Sequence, residues 1–268
     1  MASHNRATLR SFFADGQRPT GKQFGDLIDS MLNMVDEGFR KSPERGLEVS
    51  AAVQHDALMS FSRDQRPQEP LWSMGFAAQQ DRLQFERTGA AMPVLTLDTA
   101  ADAKGQTQAR VGVNVAQPEH ALHVGGVVSA QGRVGSLPLP GTEPPMADGD
   151  WYDITPPLQG CQAFEVMACA GLEDSGQFAL MNAVAMNAFN PTSGLFDRLL
   201  GRKRIKAQHA WYGKRCDRLE LRWNGTSGAH AKYTLQVRSR CVYGDGKVPI
   251  RVQMTQLWFH SFARGAAP

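Results

Sequence analysis

The sequence predicts a mainly β protein with a short helical opening, a thin β stem and a C-terminal β-sandwich head of jelly-roll type. Three observations lead there. A helical stripe of apolar residues occurs only in the first forty positions. From residue 46 onward, short runs alternate apolar and polar residues with period two. A proline-rich break at 136–149 then separates a half poor in large side chains from one rich in them. The 268-residue length suits about two domains.

The opening carries its own start and stop signals. Asn5 can cap a short helix bearing Leu9, Phe12 and Phe13, which Gly16 and Pro19 break. Thr20 with Gln23 three positions on forms a capping box. Phe24, Leu27, Ile28, Met31, Leu32 and Val35 then fall on one helical stripe, and Gly38 is expected to stop it. The stripe suits the core face of a small domain. It also suits a seam between identical helices, because 24, 28, 31 and 35 fit a/d spacing. Residues 1–45 are read as a helical anchor, with this stripe as its docking or oligomerisation surface.

Residues 46–135 change texture. The runs LEVSAAV, ALMSFS, PLWSMGF, RLQFER, PVLTLD, RVGVNV and HALHVGG read as strands, with polar, turn-rich spacers between them. Their large apolar residues are few for ninety positions. The thinnest part is RVGVNVAQPEHALHVGGVVSAQGRVG, Arg110–Gly135, which contains five glycines. Val111 and Val113 alternate with Gly112 and Asn114, and Leu122 and Val124 alternate after Pro118. Two such strands are marginal alone. An oligomerising stem is expected, with Val111, Val113, Leu122 and Val124 in its shared interior.

Four prolines within residues 136–145 exclude regular helix and central strand, so 136–149 is expected to be a linker. Beyond it, WYDIT, AFEVMACAG, QFALMNAVAMNAF, IKAQHAWYG, RLELRWNG, AKYTLQVRSRCVYG and VPIRVQMTQLWFHSF read as strands of a 150–268 head. About seven antiparallel strands separated by WNGTSG, YGDGK and LEDSGQ turns predict a sandwich. Trp223, Trp258 and Phe259 are expected in its core.

Composition narrows the function classes. A net charge of +3 is too mild for a nucleic-acid protein, no apolar run is long enough to span a membrane, and MASHNRATLRSFFADGQRP lacks a secretory apolar core. Cytoplasmic synthesis without a signal peptide is expected. The four cysteines, Cys161, Cys169, Cys216 and Cys241, match no zinc or redox spacing. They read as reduced, buried apolar residues, with a Cys216–Cys241 bridge as the alternative for a protein that ends outside the cell.

No GxSxG, HExxH or P-loop motif is present, so no enzyme, metal or cofactor is expected. His120 and His123 are expected on opposite faces of a strand, as surface imidazoles rather than ligands. The acid pairs Glu173/Asp174 and Asp148/Asp150 lie in turns, where nothing singles out a glycosidase pair. The most distinctive charged stretch is LFDRLLGRKRIKAQHAWYGKR. Its Arg202, Lys203, Arg204, Lys206, Trp211 and Tyr212 are candidates for an outward patch that takes anionic glycans or lipopolysaccharide phosphates. The competing reading is a solvated loop with its aromatics turned into the core, and that is the expectation.

The segment Val111–Gly135 resembles the repeat-like strands of phage tail fibres and of fibre-like proteins encoded with contractile injection systems. Val111, Gly112, Asn114, Pro118, Leu122, Val124, Gly126, Gly132 and Gly135 carry the likeness. The opening, with PTGKQFGDLIDS, is similar to the helical openings of that group, and DGDWYDI, GCQAFEVMACAG and ALMNAVAMNAF resemble its β head. The resemblance implies an elongated homotrimer with an intertwined stem, incorporated into an extracellular phage-tail-like particle. Its partners would be baseplate or other particle proteins, and a cell-surface glycan is a candidate ligand. Near a threefold axis the glycines would allow close backbone approach. The alternatives are a stand-alone carbohydrate-binding or glycan-cleaving β protein, and an internal cap or baseplate accessory that contacts no receptor.

Overall fold

The computed structural model describes residues 4–31, 38–51, 57–63, 69–101, 105–191, 205–228 and 230–259. It is mainly β, and the chain divides into two units, Met1–Ser129 and Ala130–Pro268. No helix among the described residues is long and apolar enough to cross a membrane.

The first unit opens with two helices, α1 (Arg6–Phe12) and α2 (Gly21–Asp29). The Asn5 side chain accepts from the Thr8 amide at 2.9 Å and caps α1. At α2 the Thr20 amide donates to Gln23 Oε1 at 2.7 Å while the Gln23 amide donates to Thr20 Oγ1 at 3.4 Å, completing the expected capping box. Phe13 meets Phe24 edge-on at 5.2 Å, and His4 Nε2 lies 3.6 Å from Asp26. The stripe was expected to run on to Val35, but α2 closes at Asp29. The Ser30 hydroxyl bonds back to the Asp26 carbonyl at 2.6 Å, and Met31 follows the cap rather than riding the helix.

A hairpin follows, β1 (Phe39–Ser42) with β2 (Gly46–Val49), so the segment assigned to the 1–45 anchor also contains a strand, after the Gly38 stop. Next comes a six-stranded sheet of β3 (Ala57–Phe61), β4 (Trp72–Phe76), β5 (Leu83–Arg87), β6 (Leu95–Ala101), β7 (Thr107–Val113) and β8 (Leu122–Val124), in chain order. All neighbours are antiparallel except β7 and β8, which run parallel.

Parallel neighbours ordinarily need a crossover of a dozen or more residues. Here the return is made between Val113 and Leu122, pinned by Arg82 Nη1 donating to the Ala116 carbonyl at 2.9 Å and Arg110 Nη1 to the Pro118 carbonyl at 3.3 Å. So tight a return crowds the backbone. A Cβ on Gly112 would sit 2.4 Å from the Val115 carbonyl oxygen, and one on Gly125 would sit 2.7 Å from that of Asn114, whose φ is 54°. Gly135 is likewise pressed on Met254, at 2.5 Å. These three glycines are each required by a close approach within their own chain.

The second unit has two sheets. One is ordered β12-β11-β10-β15, from β10 (Cys161–Leu172), β11 (Gln177–Ala188), β12 (Ala207–Tyr212) and β15 (Arg251–Gln256); the other is β13-β14-β9, from β9 (Tyr152–Asp153), β13 (Leu219–Gly225) and β14 (Tyr233–Ser239). Every strand coincides with a run read from sequence. Alternate residues of both sheets enter one core: Phe164, Val166 and Ala168 from β10, Met181 from β11, Leu235 and Val237 from β14, with Ile154 and Tyr243.

The proline-rich segment, expected as a linker, is laid along this unit. The Leu137 amide donates to the Met254 carbonyl at 3.1 Å, Ala147 to Val248 at 2.8 Å, and Ile250 back to Pro145 at 2.7 Å. Prolines lack the amide for a full ladder, so the contact is made by the residues between them.

Two further expectations are corrected. Cys216 and Cys241 form a disulfide, Cα atoms 5.3 Å apart across a separation of 25, rather than remaining reduced. Cys161 is half-buried and Cys169 exposed, so neither is a buried apolar residue. Trp223 does enter the packing, beside Phe164 and edge-on to Tyr233 at 5.4 Å, but Trp258 and Phe259 lie beyond the end of β15 and stay exposed.

Candidate functional site

The six-stranded sheet has one apolar face. Register aligns Phe76, Leu83, Leu97, Val111 and Leu122 in a row across β4 to β8. A second row, two residues along, aligns Met59, Met74, Phe85, Leu95, Val113 and Val124 across β3 to β8. Phe61 and Trp72 continue the same face at one corner. The opposite face carries Ser73, Gln84, Glu86, Thr96, Asp98 and Arg110. Val111, Val113, Leu122 and Val124 therefore share one surface, as their alternation predicts.

Among the described residues that surface is half-buried to exposed. Phe76 is 41% exposed, Trp72 40%, Leu97 38% and Leu122 63%. Among the described residues of the first unit, no leucine, isoleucine, valine, methionine or aromatic side chain is buried. On the helices, Phe24, Ile28 and Met31 are also exposed, while Leu27 is half-buried. Leu32 and Val35 lie outside the described residues.

The two sheets of the second unit present contrasting outer faces. Outward on β10 and β11 are Met167, Phe178, Leu180, Val184 and Met186, an apolar surface. Outward on β13 and β14 is a charged lattice built on Trp151. The Arg222 guanidinium lies 4.2 Å from the Trp151 ring centre and that of Arg238 4.4 Å. Arg222 Nε donates to Gln236 Oε1 at 2.7 Å, and Gln236 Nε2 donates to Asp153 at 2.9 Å. Glu220 accepts from Arg238 through Nε at 3.1 Å and Nη2 at 2.9 Å, and pairs with Arg240 at 3.4 Å. Burial and the neighbouring Arg238 charge both press the Arg222 pKa downward.

Beside the lattice, between the edges of β12 and β13, opens a cleft of about 750 Å³ walled by Lys206, His209, Arg218, Glu220, Arg222 and Trp151. Arg218 stacks over Trp211 at 5.3 Å. Among the described residues its Nε and His209 Nδ1, both buried, have no hydrogen-bond partner. Burial, and then the Arg218 charge, lower the His209 pKa, with Glu220 opposing them.

Of the candidates read from the basic stretch, Lys206 reaches this cleft and Trp211 stands next to it through Arg218. Tyr212 goes to the outer face of the other sheet, opposite Phe178, because consecutive strand residues point to opposite sides. Neither aromatic is in the core, contrary to the expected reading: Trp211 is 43% exposed and Tyr212 71%. β12 is an edge strand, so both rings stand at the rim of the sheet, with Arg218 over Trp211. Arg202, Lys203 and Arg204 lie outside the described residues. Sequence reasoning missed Arg218, Arg222, Arg238 and Trp151. The alternation of RLELRW puts Arg218, Glu220 and Arg222 on one side, and that of YTLQVRS puts Arg238 with Thr234 and Gln236, but neither pattern shows that the two faces adjoin.

The other candidate clusters have structural partners. Asp148 accepts from the Tyr152 hydroxyl and the Asp150 amide. Burial raises its pKa, yet these bonds hold the carboxyl below its usual value and push the Tyr152 phenol up to about 12. His120 and His123, expected on opposite faces, stand with ring centres 6.3 Å apart, because His120 precedes β8 in the return loop. Among the described residues, Cys216, Asp217 and Cys241 form the group with metal-ligand spacing, but the disulfide consumes both thiolates.

Together these features define a mainly β protein of two units, the first with a half-buried to exposed apolar sheet face, the second with a charged, aromatic outer face. No family model matches the chain, and no curated protein is detectably similar to it in sequence.

Proposed function

We propose that the chain is a non-enzymatic structural and adhesive subunit, a homotrimeric fibre- or spike-like component of a phage-tail-like contractile particle. The observation that carries the reading is the pair of apolar rows across β3 to β8, in which no leucine, valine, methionine or aromatic side chain is buried among the described residues of the first unit. Exposed apolar patches of that extent mark association surfaces. Copies of the same sheet are the economical cover, since an apolar face with no charged side chain in either row is complementary to itself. The resemblance of Val111–Gly135 to tail-fibre segments supplies the trimeric count and the particle. On this reading the exposed Phe24, Ile28 and Met31 dock the helices to a baseplate partner, and the second unit is presented outward. Several weak sites on one particle then gain from effective concentration.

Light scattering after size exclusion tests it directly. The wild-type chain is expected at three times the chain mass at micromolar concentration, and Leu97→Lys with Phe76→Glu at the single-chain mass with its strand content intact. A monomeric wild type sinks the proposal.

A further inference from the structure

We propose that the cleft between the β12 and β13 edges binds a tetrahedral oxyanion, the phosphate or sulfate ester of a larger molecule. The cleft lies within one copy of the second unit, so the inference stands apart from any assembly of subunits.

Charge is the first argument. Lys206, Arg218 and Arg222 line the cleft, and none of them has a carboxylate within ion-pair distance among the described residues. The acid in the wall, Glu220, is already engaged by Arg238 and Arg240. Arg222 lies over the same indole as Arg238, 4.2 and 4.4 Å from its centre. Glu220 neutralises Arg238, so of the two it is the Arg222 charge that is left for an incoming ester.

Preorganisation is the second. Gln236 fixes the Nε edge of Arg222 and Trp151 fixes its plane, which leaves the terminal nitrogens of the fork for a ligand. Arg218 is likewise set by Trp211 rather than by a carboxylate. Guanidinium forks held in this way match oxyanions bidentately, and little entropy remains to be lost on binding.

The third argument selects against a neutral sugar. Trp151 and Trp211, the rings beside the cleft, already carry stacked guanidiniums, so binding there is by charge rather than by ring stacking. At about 750 Å³ and open to solvent, the cleft admits the ester together with part of the unit that bears it.

Calorimetric titration of the full-length protein at fixed ionic strength tests this, with inorganic phosphate, glucose 6-phosphate, glucose and glucuronate as probes. Glucose 6-phosphate is expected to bind and glucose not to. Tighter binding of glucose 6-phosphate than of phosphate identifies an ester on a larger molecule as the natural source; equal binding identifies the free anion, and either result supports the site. Arg222→Gln should weaken binding at least about tenfold, the loss of a charge-assisted hydrogen bond. Lys206→Gln, whose side chain holds no packing role, should weaken it by a smaller factor with an unchanged melting curve. Arg251→Gln, on the other sheet, should leave it unchanged. Absence of binding by both phosphates, equal binding of glucose or glucuronate, or indifference to both Arg222→Gln and Lys206→Gln overturns the assignment.

Discussion

In both units period-two runs make strands with one apolar face, yet the faces meet different fates. In the second unit the apolar sides of a four-stranded and a three-stranded sheet close on each other, and Val166, Leu235, Ile154 and Met254 are almost wholly buried. In the first, a wider sheet holds Phe76, Leu97 and Leu122 at its surface. Alternation specifies a face. It does not specify what covers it, and that requires a second layer to be encoded elsewhere, in this chain or in another copy.

The sharpest way to break this contrast is paired truncation. Leu235→Ala, in the closed core, is expected to cost about 2–5 kcal/mol in denaturant unfolding. Leu97→Ala should cost less than about 1 kcal/mol in the dissociated chain, its side chain being already part-solvated, and more as rising concentration drives assembly. Equal costs at every concentration would mean that the first sheet is covered within its own chain.

Next in size is the disulfide, which ties the turn before β13 to the end of β14. Cys216→Ser with Cys241→Ser, or reduction, should destabilise the second unit by about 2–4 kcal/mol. The first unit, which contains no cysteine, should melt unchanged. A thiol-independent transition in the second unit would show that the β13–β14 pair needs no covalent tie.

A smaller effect separates crowded glycines from free ones. Gly112→Ala must displace the Val115 carbonyl and is expected to cost about 1–3 kcal/mol. Gly126→Ala, with open space around its Cβ position, should be near neutral. Fluorescence-detected melting of the two variants compares them. If Gly126→Ala proves the worse, the glycine pattern is set by contacts between chains.

The smallest expected effect is a pH dependence confined to the second unit. The Asp148 carboxyl is held below its ordinary value by the Tyr152 hydroxyl and the Asp150 amide, although burial opposes them. Its contribution is therefore complete above the unfolded value of 3.8 and is lost as pH falls through the lower, folded value. Asp148→Asn should flatten the acid limb of the stability profile below pH 3.8. An unchanged limb would assign the acid sensitivity to other carboxylates.

Much of this architecture was legible beforehand, because its signals are local. Asn5 and the Thr20–Gln23 pair announced two helix starts through their own backbone donors, and alternation located each strand from β2 to β15. The end of α2 was harder. The apolar stripe pointed on to Val35, whereas α2 closes at Asp29 with Ser30 as its C-cap, and Val35 lies outside the described residues. The candidate site was legible only in fragments. RLELRW placed Arg218 and Arg222 on one side, but nothing local says that Arg238, Trp151 and Lys206 arrive beside them from three separate segments. Trp211 and Tyr212 look like one aromatic patch as neighbours in sequence, and the strand sends them to opposite sides.

What the sequence alone determined was the kind of structure: the capped helices, the period-two strands, the thin middle and the fuller end. These follow from hydrogen bonds and side-chain spacing within a few residues of one another. Only the tertiary structure decided the parallel return that makes Gly112 and Gly125 necessary, the Cys216–Cys241 pairing, and the assembly of arginines around Trp151. Each of those depends on which strands become neighbours, and neighbours are chosen by packing whole faces together, a property that no short stretch of chain possesses.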